Sequence, residues 1–456
     1  MNLSPWIACA LVLSATPDHW PDFLGRQRSD IASSSLPVTW TPADVAWSCP
    51  LPGHGQSSPV IWGDAVYVTS VEGPLKDELI VTAVGLADGR VRWQKSFPTS
   101  DPVKNGTFVS RAAPTPLVDA AGVVAFFESG DAVALDHQGA VRWQRSLSRD
   151  YGKFQNEYGL GASPLQTAEL VVILIDHPGP SYVVALHKSD GTVAWRTERK
   201  GRASWSSPMW IELAGRRQLL CSSAGSIDGY DPANGRLLWS YEPVRGNRIC
   251  SPWVFGSGLF LVGAQTSREF PDENSVKQSN FAMRVTPDGD GWRPQIVWRT
   301  EEASPGMASP MVHAGCAYWI NRTGVVFCYD AETGTKHYAE RVKQAPWATP
   351  LGVGNRLYLF GKDGLATVLE AGPQFKVLAE NWLWDPDAVQ ADPSIVERET
   401  DPRRRAGAAM HAKPEVYGIA AVTGTLVART GDRLYAVRGR AELGPPGRGE
   451  FGPRAD

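Results

Sequence analysis

Six cysteines in 456 residues, none adjacent to another and none in a CxxC, leave little from which to build a disulfide framework, and the haem signature CxxCH is missing. Five of them follow the first fifteen residues, an odd number, and Cys221, Cys316 and Cys328 sit inside apolar runs where a thiol serves as a small core residue. Charge is equally sparse. Forty-five Lys and Arg against 48 Asp and Glu give a net charge of −3, which excludes a blanket attraction for nucleic acid or an anionic membrane. The eight histidines are scattered, with no HExxH or other ligand spacing. There is no nucleophile elbow and no pair of carboxylates at a fixed spacing. Past the N-terminus no apolar run is long enough to span a bilayer.

What the chain does have is a phrase that returns. It reads LADGRVRW at Leu86–Trp93, LDHQGAVRW at Leu135–Trp143, LHKSDGTVAW at Leu186–Trp195 and YDPANGRLLW at Tyr230–Trp239, with a worn copy at Tyr329–Tyr338. Each copy is preceded by a small residue and a proline opening an apolar run, at prolines 59, 116, 164, 208, 252, 310 and 350. Proline suits the first residue of a strand, where its missing N–H breaks no ladder. The Asp-Gly and Asn-Gly pairs form tight turns because both positions tolerate positive φ. Four short strands per copy, at a period of 40 to 58 residues, predict an all-β chain folded as a propeller.

Seven copies begin with the proline step. An eighth, Lys413–Arg438, has three strands and then stops, while Asp44–Leu51 resembles an outer strand with nothing strand-like before it. The economical arrangement has eight four-stranded antiparallel blades, with residues 44–51 completing the last blade and abolishing both free edges. Seven blades is the alternative, because the copies at 346–383 and 410–438 lack the Trp phrase. The single domain is expected to run over 18–438, with blades at 57–97, 110–147, 159–199, 204–243, 249–302, 306–342, 346–383 and 410–438. Trp47, Trp93, Trp143, Trp195, Trp239 and Trp298 would stand on the outer strands and pack on the next blade.

Outside the blades, residues 1–17 read as a secretory signal peptide, apolar from Trp6 to Leu13 and ending in the small Ser14 and Ala15. Residues 385–409 form an insertion, acidic and then Arg403–Arg405, expected to be a solvated excursion. Another insertion lengthens blade 5 around Arg268–Ser279. The Asp288 and Asp290 segment reads as a polar turn, since a calcium loop would need further carboxylates. Residues 439–456 make a Gly- and Pro-rich tail.

The recurring A-x-D-x-x-T/N-G-x-x-x-W phrase, best kept in Gly229–Trp239 and Cys328–Tyr338, resembles the pyrroloquinoline quinone (PQQ) repeat. The stretches DHWPDFLGRQRSD and LPVTWTPADVAWSCPLPGHGQSSPVIWGDAVYVTS are similar to secreted PQQ-like propellers of the planctomycete type. This resemblance covers nearly all of residues 18–438 and implies the fold. Its members include quinoprotein alcohol dehydrogenases and the outer-membrane assembly lipoprotein, so it leaves activity open. The dehydrogenases of the family hold calcium by acidic and amide side chains, use an Asp as base and carry an adjacent-cysteine disulfide. No adjacent cysteines occur here.

If the proline step begins each innermost strand, the residues before it rim one mouth of the central channel. That places His54, Gln56, Arg111, Tyr158, Trp205, Arg248, Trp347 and His411 together as the candidate ligand-binding set. Aromatic faces and arginines suit a planar or anionic ligand, or the side chains simply plug the mouth. No acidic residue accompanies Arg111 or Arg248 in its own loop, and Glu157 is a possible partner from another blade. The expected function is a non-catalytic binding or scaffold module, monomeric and secreted or periplasmic in a bacterial envelope. It would take an envelope protein, peptide or glycan as partner, with no catalytic residue, metal or cofactor. The alternatives are a dehydrogenase of alcohols or sugars using PQQ with calcium, and a channel-based hydrolase or lyase.

Overall fold

Each of the seven proline steps opens a short strand beside the central axis, the first being Val60–Trp62 and the last Leu351–Val353. Three more strands follow each by hairpins, so every sheet has four antiparallel strands in sequence order from axis to rim. This computed structural model describes residues 19–25, 36–267, 271–300, 302–397 and 399–439. The expected signal peptide and all but the first residue of the tail lie outside these. The eighth sheet takes Gly418–Val422, Thr425–Arg429 and Arg433–Arg438 from the C-terminal end and Val45–Pro50 from the N-terminal end. Cys49 stands opposite Leu434 and Val45 opposite Val437 in that closing pair. The fold is an eight-bladed propeller, and the seven-bladed alternative is corrected: the two copies without the Trp phrase are complete blades.

The small residue before each proline carries the ring's inner belt. Ser58 N–H donates to the Thr115 hydroxyl at 3.0 Å, Thr115 N–H to Ser163 at 3.0 Å and Ser163 N–H to Ser207 at 2.9 Å. Ser207 donates to Ser251 at 2.9 Å, Ser251 to Ser309 at 3.0 Å and Ser309 to Thr349 at 3.3 Å. Backbone N–H groups that converge on the axis thus find hydroxyl acceptors one blade onward. At blade 8 the hydroxyl is missing. Counting back from the tight turns Val422–Thr425 and Trp62–Ala65 places Gly418 where blade 1 has Ser58. A Cβ on Gly418 would lie 2.3 Å from Ser58 Oγ and 2.5 Å from Ser58 Cα, so no hydroxyl-bearing side chain fits. The strand therefore opens at Gly418 and not directly after Pro414, which places His411 well before the strand and out of step with its seven counterparts.

The tryptophans form an outer belt with its own chemistry. Trp47, Trp93, Trp143 and Trp195 each donate the indole N–H to a carbonyl of the next blade, on Leu86, His137, Lys188 and Pro232, at 2.8–2.9 Å. Trp298 does the same to Ala331 at 3.1 Å. Each of the five rings lies under the turn glycine of that next blade; at Gly89 (φ 70°) a Cβ would fall 2.7 Å from Trp47. Trp239 departs from the pattern. Blade 5 has a long hairpin in place of that turn, with Asp288 at its tip ion-paired to Arg293, and the Trp239 indole bonds Gln218 within its own blade at 2.8 Å.

Between blades 3 and 4 lies a buried ionic staple. Arg199 Nε is 3.0 Å from Asp176, its NH1 is 3.0 Å from Asp228 and its NH2 is 2.9 Å from the Ser223 hydroxyl. The Arg199 and Asp176 side chains are each 1% exposed. The five cysteines among the described residues are all buried thiols.

Candidate functional site

Loops that enter the inner strands, together with those joining second to third strands, share one face of the ring. All eight candidate residues lie on that face and all are part-buried, divided between two clusters. The first spans blades 7, 8, 1 and 2. Gln56 N–H donates to the Arg111 carbonyl at 2.9 Å, and Arg111 N–H returns the bond to Gln56 Oε1 at 2.9 Å. The His54 ring meets Tyr417 edge-on at 5.9 Å, and Trp347 meets both Tyr417 (5.9 Å) and His411 (6.0 Å). Glu415, 3% exposed, holds His411 Nδ1 at 2.8 Å and the Tyr417 hydroxyl at 2.9 Å. The second cluster spans blades 3 to 5. Trp205 meets Tyr158 edge-on at 6.0 Å, and the Arg248 guanidinium lies over the Trp205 ring at 5.2 Å.

A strap connects them. Residues 385–409 contain two short helices, Pro393–Glu397 and Pro402–Ala409, and the second turns back across the mouth. Arg404 pairs with Glu157 and lies 5.9 Å over the Tyr158 ring. Ala408 is fully buried, and Phe108 meets His411 edge-on at 5.5 Å. The first half of the insertion is solvated as expected; the second half is a cover. Glu157 therefore serves the strap and neither Arg111 nor Arg248.

Arg111 is instead positioned by a buried anchor. Glu128 Oε1 pairs with Lys76 Nζ at 2.9 Å, and its Oε2 accepts from Ala112 N–H at 3.0 Å. Lys76 also donates to the Ser110 carbonyl. Lys76 and Ala112 both take left-handed backbone angles, 54° and 48°. Two residues in a region that L side chains rarely adopt are held on either side of the loop that presents Arg111.

The electrostatics of the first cluster favour neutral His54. Burial, then Arg111, then Arg429 hold its imidazole well below the ordinary value. Arg429, fully buried, donates to the Ser57 carbonyl at 3.3 Å and the Ser70 hydroxyl at 3.1 Å. Burial likewise lowers Arg111, offset by Tyr417 and Glu415. A histidine depressed in the fold gives up its proton on folding, so its stabilisation is complete above the unfolded value of about 6.5 and is lost as the pH falls below it. Stability is expected to hold from pH 8 to 7 and then drop as the unfolded chain takes up the proton that His54 refuses in the fold. His177 and His313, also depressed by burial, share the slope. Thermal melts of the wild type and His54→Gln from pH 8 to 5 check this; equal slopes would remove His54 from the account.

Sequence reasoning singled out the eight residues and missed those that fix them. Glu415, Tyr417, Glu128 and Lys76 carried no motif. Arg429 did carry a signal, being a charge inside the apolar run Leu426–Arg429. Chemically, the mouth groups satisfy one another in part: His411, Glu415 and Tyr417 are joined, while the buried His54 Nε2 and Arg111 Nε have no hydrogen-bond partner. Among the described residues no three His, Cys, Asp or Glu side chains converge. The Glu415 oxygen without a hydrogen bond faces Lys362 at 3.8 Å. Calcium takes about six to eight oxygens, so these residues do not fit a calcium-held quinone.

One family model, described as outer membrane protein assembly factor BamB, matches residues 38–157 and 156–285. The fold is similar to the crystal structure of BamB from Moraxella catarrhalis, with 15% identity and a TM-score of 0.56 over 86% of this chain and 96% of that one. It is also similar to a europium-containing methanol dehydrogenase, with 12% identity and a TM-score of 0.49 over 92% and 98% of the two chains. A quinohemoprotein alcohol dehydrogenase from Comamonas testosteroni gives 14%, 0.41, 78% and 77%. At such identities the first likeness is one of fold, and the other two carry no argument about the site. No curated protein sequence matches the chain significantly.

Proposed function

The chain belongs to the family of the outer membrane protein assembly factor BamB, and from that membership we propose that it is a non-catalytic binding propeller of the bacterial envelope. The observation that carries the reading is the covered mouth. Most of its ionisable groups are committed to one another in the sets His411–Glu415–Tyr417, Arg404–Glu157 and Lys76–Glu128, with the strap laid over them, while His54 Nε2 and Arg111 Nε are left without a hydrogen bond. Such a face offers recognition surface and no acid–base pair presented to a substrate. A protein or peptide of the envelope is the partner class that the family description favours. Among the described residues no helix is long and apolar enough to cross a membrane. Met410, 62% exposed on the strap, is the first apolar contact such a partner would meet.

Titration with PQQ and calcium, followed by cofactor absorbance and by melting, separates this reading from the dehydrogenase. No saturable signal at tens of micromolar is expected. Saturation with a raised melting temperature would overturn the scaffold reading. A photo-crosslinking residue at position 410 is expected to give one discrete envelope-protein adduct, lost on Arg404→Glu, which frees the strap.

A further inference from the structure

The innermost strand of a propeller blade keeps one edge towards the axis, where its N–H and C=O groups still need partners. On blade 1 that edge is occupied by the chain itself. Trp20 N–H donates to the Ile61 carbonyl and Ile61 N–H to the Trp20 carbonyl, both at 2.8 Å, and Val118 N–H of blade 2 donates to the Pro21 carbonyl at 2.9 Å. Trp20 is 4% exposed and Leu24 8%. His19 stacks on Trp62 with ring centroids 3.7 Å apart and planes 4° from parallel. Gly25, at φ 56°, lies under the Trp20 ring, which a Cβ would approach to 2.5 Å. The contact is a one-residue antiparallel bridge followed by a turn that Gly25 N–H closes on the Asp22 carbonyl at 3.1 Å, a minimal form of the way a sheet edge receives a separate peptide.

The fit is incomplete, and the gaps say where. Phe23 and Leu24 stand between two cavities on the axis, one of about 240 Å³ walled by blades 5 to 8 and one of about 450 Å³ walled by blades 3 and 4. Blades 3 to 8 have no described strand along their inner edges. The larger cavity is rimmed by the Lys188–Asp119 and Arg217–Glu212 pairs, with Trp210 and Met209 in its wall. Both are clefts open to solvent, and Phe23 and Leu24 line the two of them.

We propose that this half of the channel is an acceptor site for a short peptide segment carrying large apolar side chains, and that residues 19–25 occupy it in cis. A partner strand of that chemistry enters by taking over the Ile61 and Val118 backbone groups. The site is at the opposite end of the channel from the strap, so it stands or falls apart from the scaffold reading.

Hydrogen exchange on the intact protein gives the first test. A displaceable occupant opens without unfolding the ring, so the Ile61 and Val118 amides are expected to exchange at least about 100-fold faster than amides of the second strands in the same blades. Equal protection would make the segment ordinary core and overturn the proposal. In the second test the full chain carrying Trp20→Ala and Phe23→Ala is titrated with a labelled peptide of residues 19–25. Saturable binding is expected, with none to the wild type and none of a scrambled peptide. A double variant that melts cooperatively yet ignores the peptide would also overturn it; if that variant does not fold, hydrogen exchange decides alone.

Discussion

Arg199→Met is expected to lower the stability of the protein by about 3–5 kcal/mol, the largest loss from any single polar side chain described above. Among the described residues Arg199 is the only cation within hydrogen-bond reach of Asp176, and it holds Asp228 and the Ser223 and Tyr230 hydroxyls as well. Its removal leaves Asp176, 1% exposed, without a cation and Asp228, 7% exposed, with only Arg202 at 4.0 Å. Uncompensated buried charge is what makes breaking such a group costly, whereas replacing the whole group with apolar residues can be nearly neutral. Urea unfolding should therefore show a large drop for Arg199→Met. The triple change with Asp176→Leu and Asp228→Leu should recover much of it. A loss below about 1 kcal/mol in the single variant would mean that water reaches the staple and screens it.

Glu128→Ala is expected to be nearly as damaging, and its effect reaches the mouth. The substitution strands the Lys76 ammonium, which is 4% exposed, and the Ala112 N–H, which loses its acceptor. A stranded buried ion, which keeps only the Ser110 carbonyl, and a stranded buried N–H together suggest a loss of about 3–4 kcal/mol. Lys76→Met with Glu128→Gln removes the ion pair while leaving an acceptor for Ala112, and should be far milder. The cycle through both single variants is expected to give a coupling of about 2–3 kcal/mol. Because the anchored loop carries Arg111, crosslinking from position 410 should weaken in Glu128→Ala at a temperature where the ring is still folded. Additive single effects would show that the two side chains do not act as a unit.

The blades were legible because their turns and edges obey local rules. Asp-Gly and Asn-Gly pairs announce the third hairpin, and proline announces the inner strand. The unpaired outer strand at the N-terminus could be matched to the blade that lacked one. What could not be read was anything set by the neighbouring blade. The residue before each proline looked merely small, although its hydroxyl is an acceptor for the previous blade. Pro414 imitated a strand start that Gly418 makes, since only the close approach to Ser58 distinguishes them. The eight rim residues were chosen by position, but their fixing depends on Arg404, 247 residues from Glu157, and on Glu128 and Glu415, which lie nearer, 16 residues from Ala112 and four from His411, yet carry no motif. The strap and the segment at Trp20 have no periodicity of their own; both take their shape from the cavity they cover.

The closing strand has a kinetic consequence. Ser48 and Arg433, hydrogen-bonded in the last blade, are 385 residues apart. During synthesis at about 5–20 residues per second, the first strand would wait on the order of 20–80 s for its partner. Meanwhile blades 1 to 7 can stack in turn as an open arc with an unpaired edge at each end, the arrangement most exposed to intermolecular pairing. The final contact also pays the full loop-closure entropy at once, which makes it the slow step of assembly. A cell making this protein would need to keep that arc soluble for the better part of a minute.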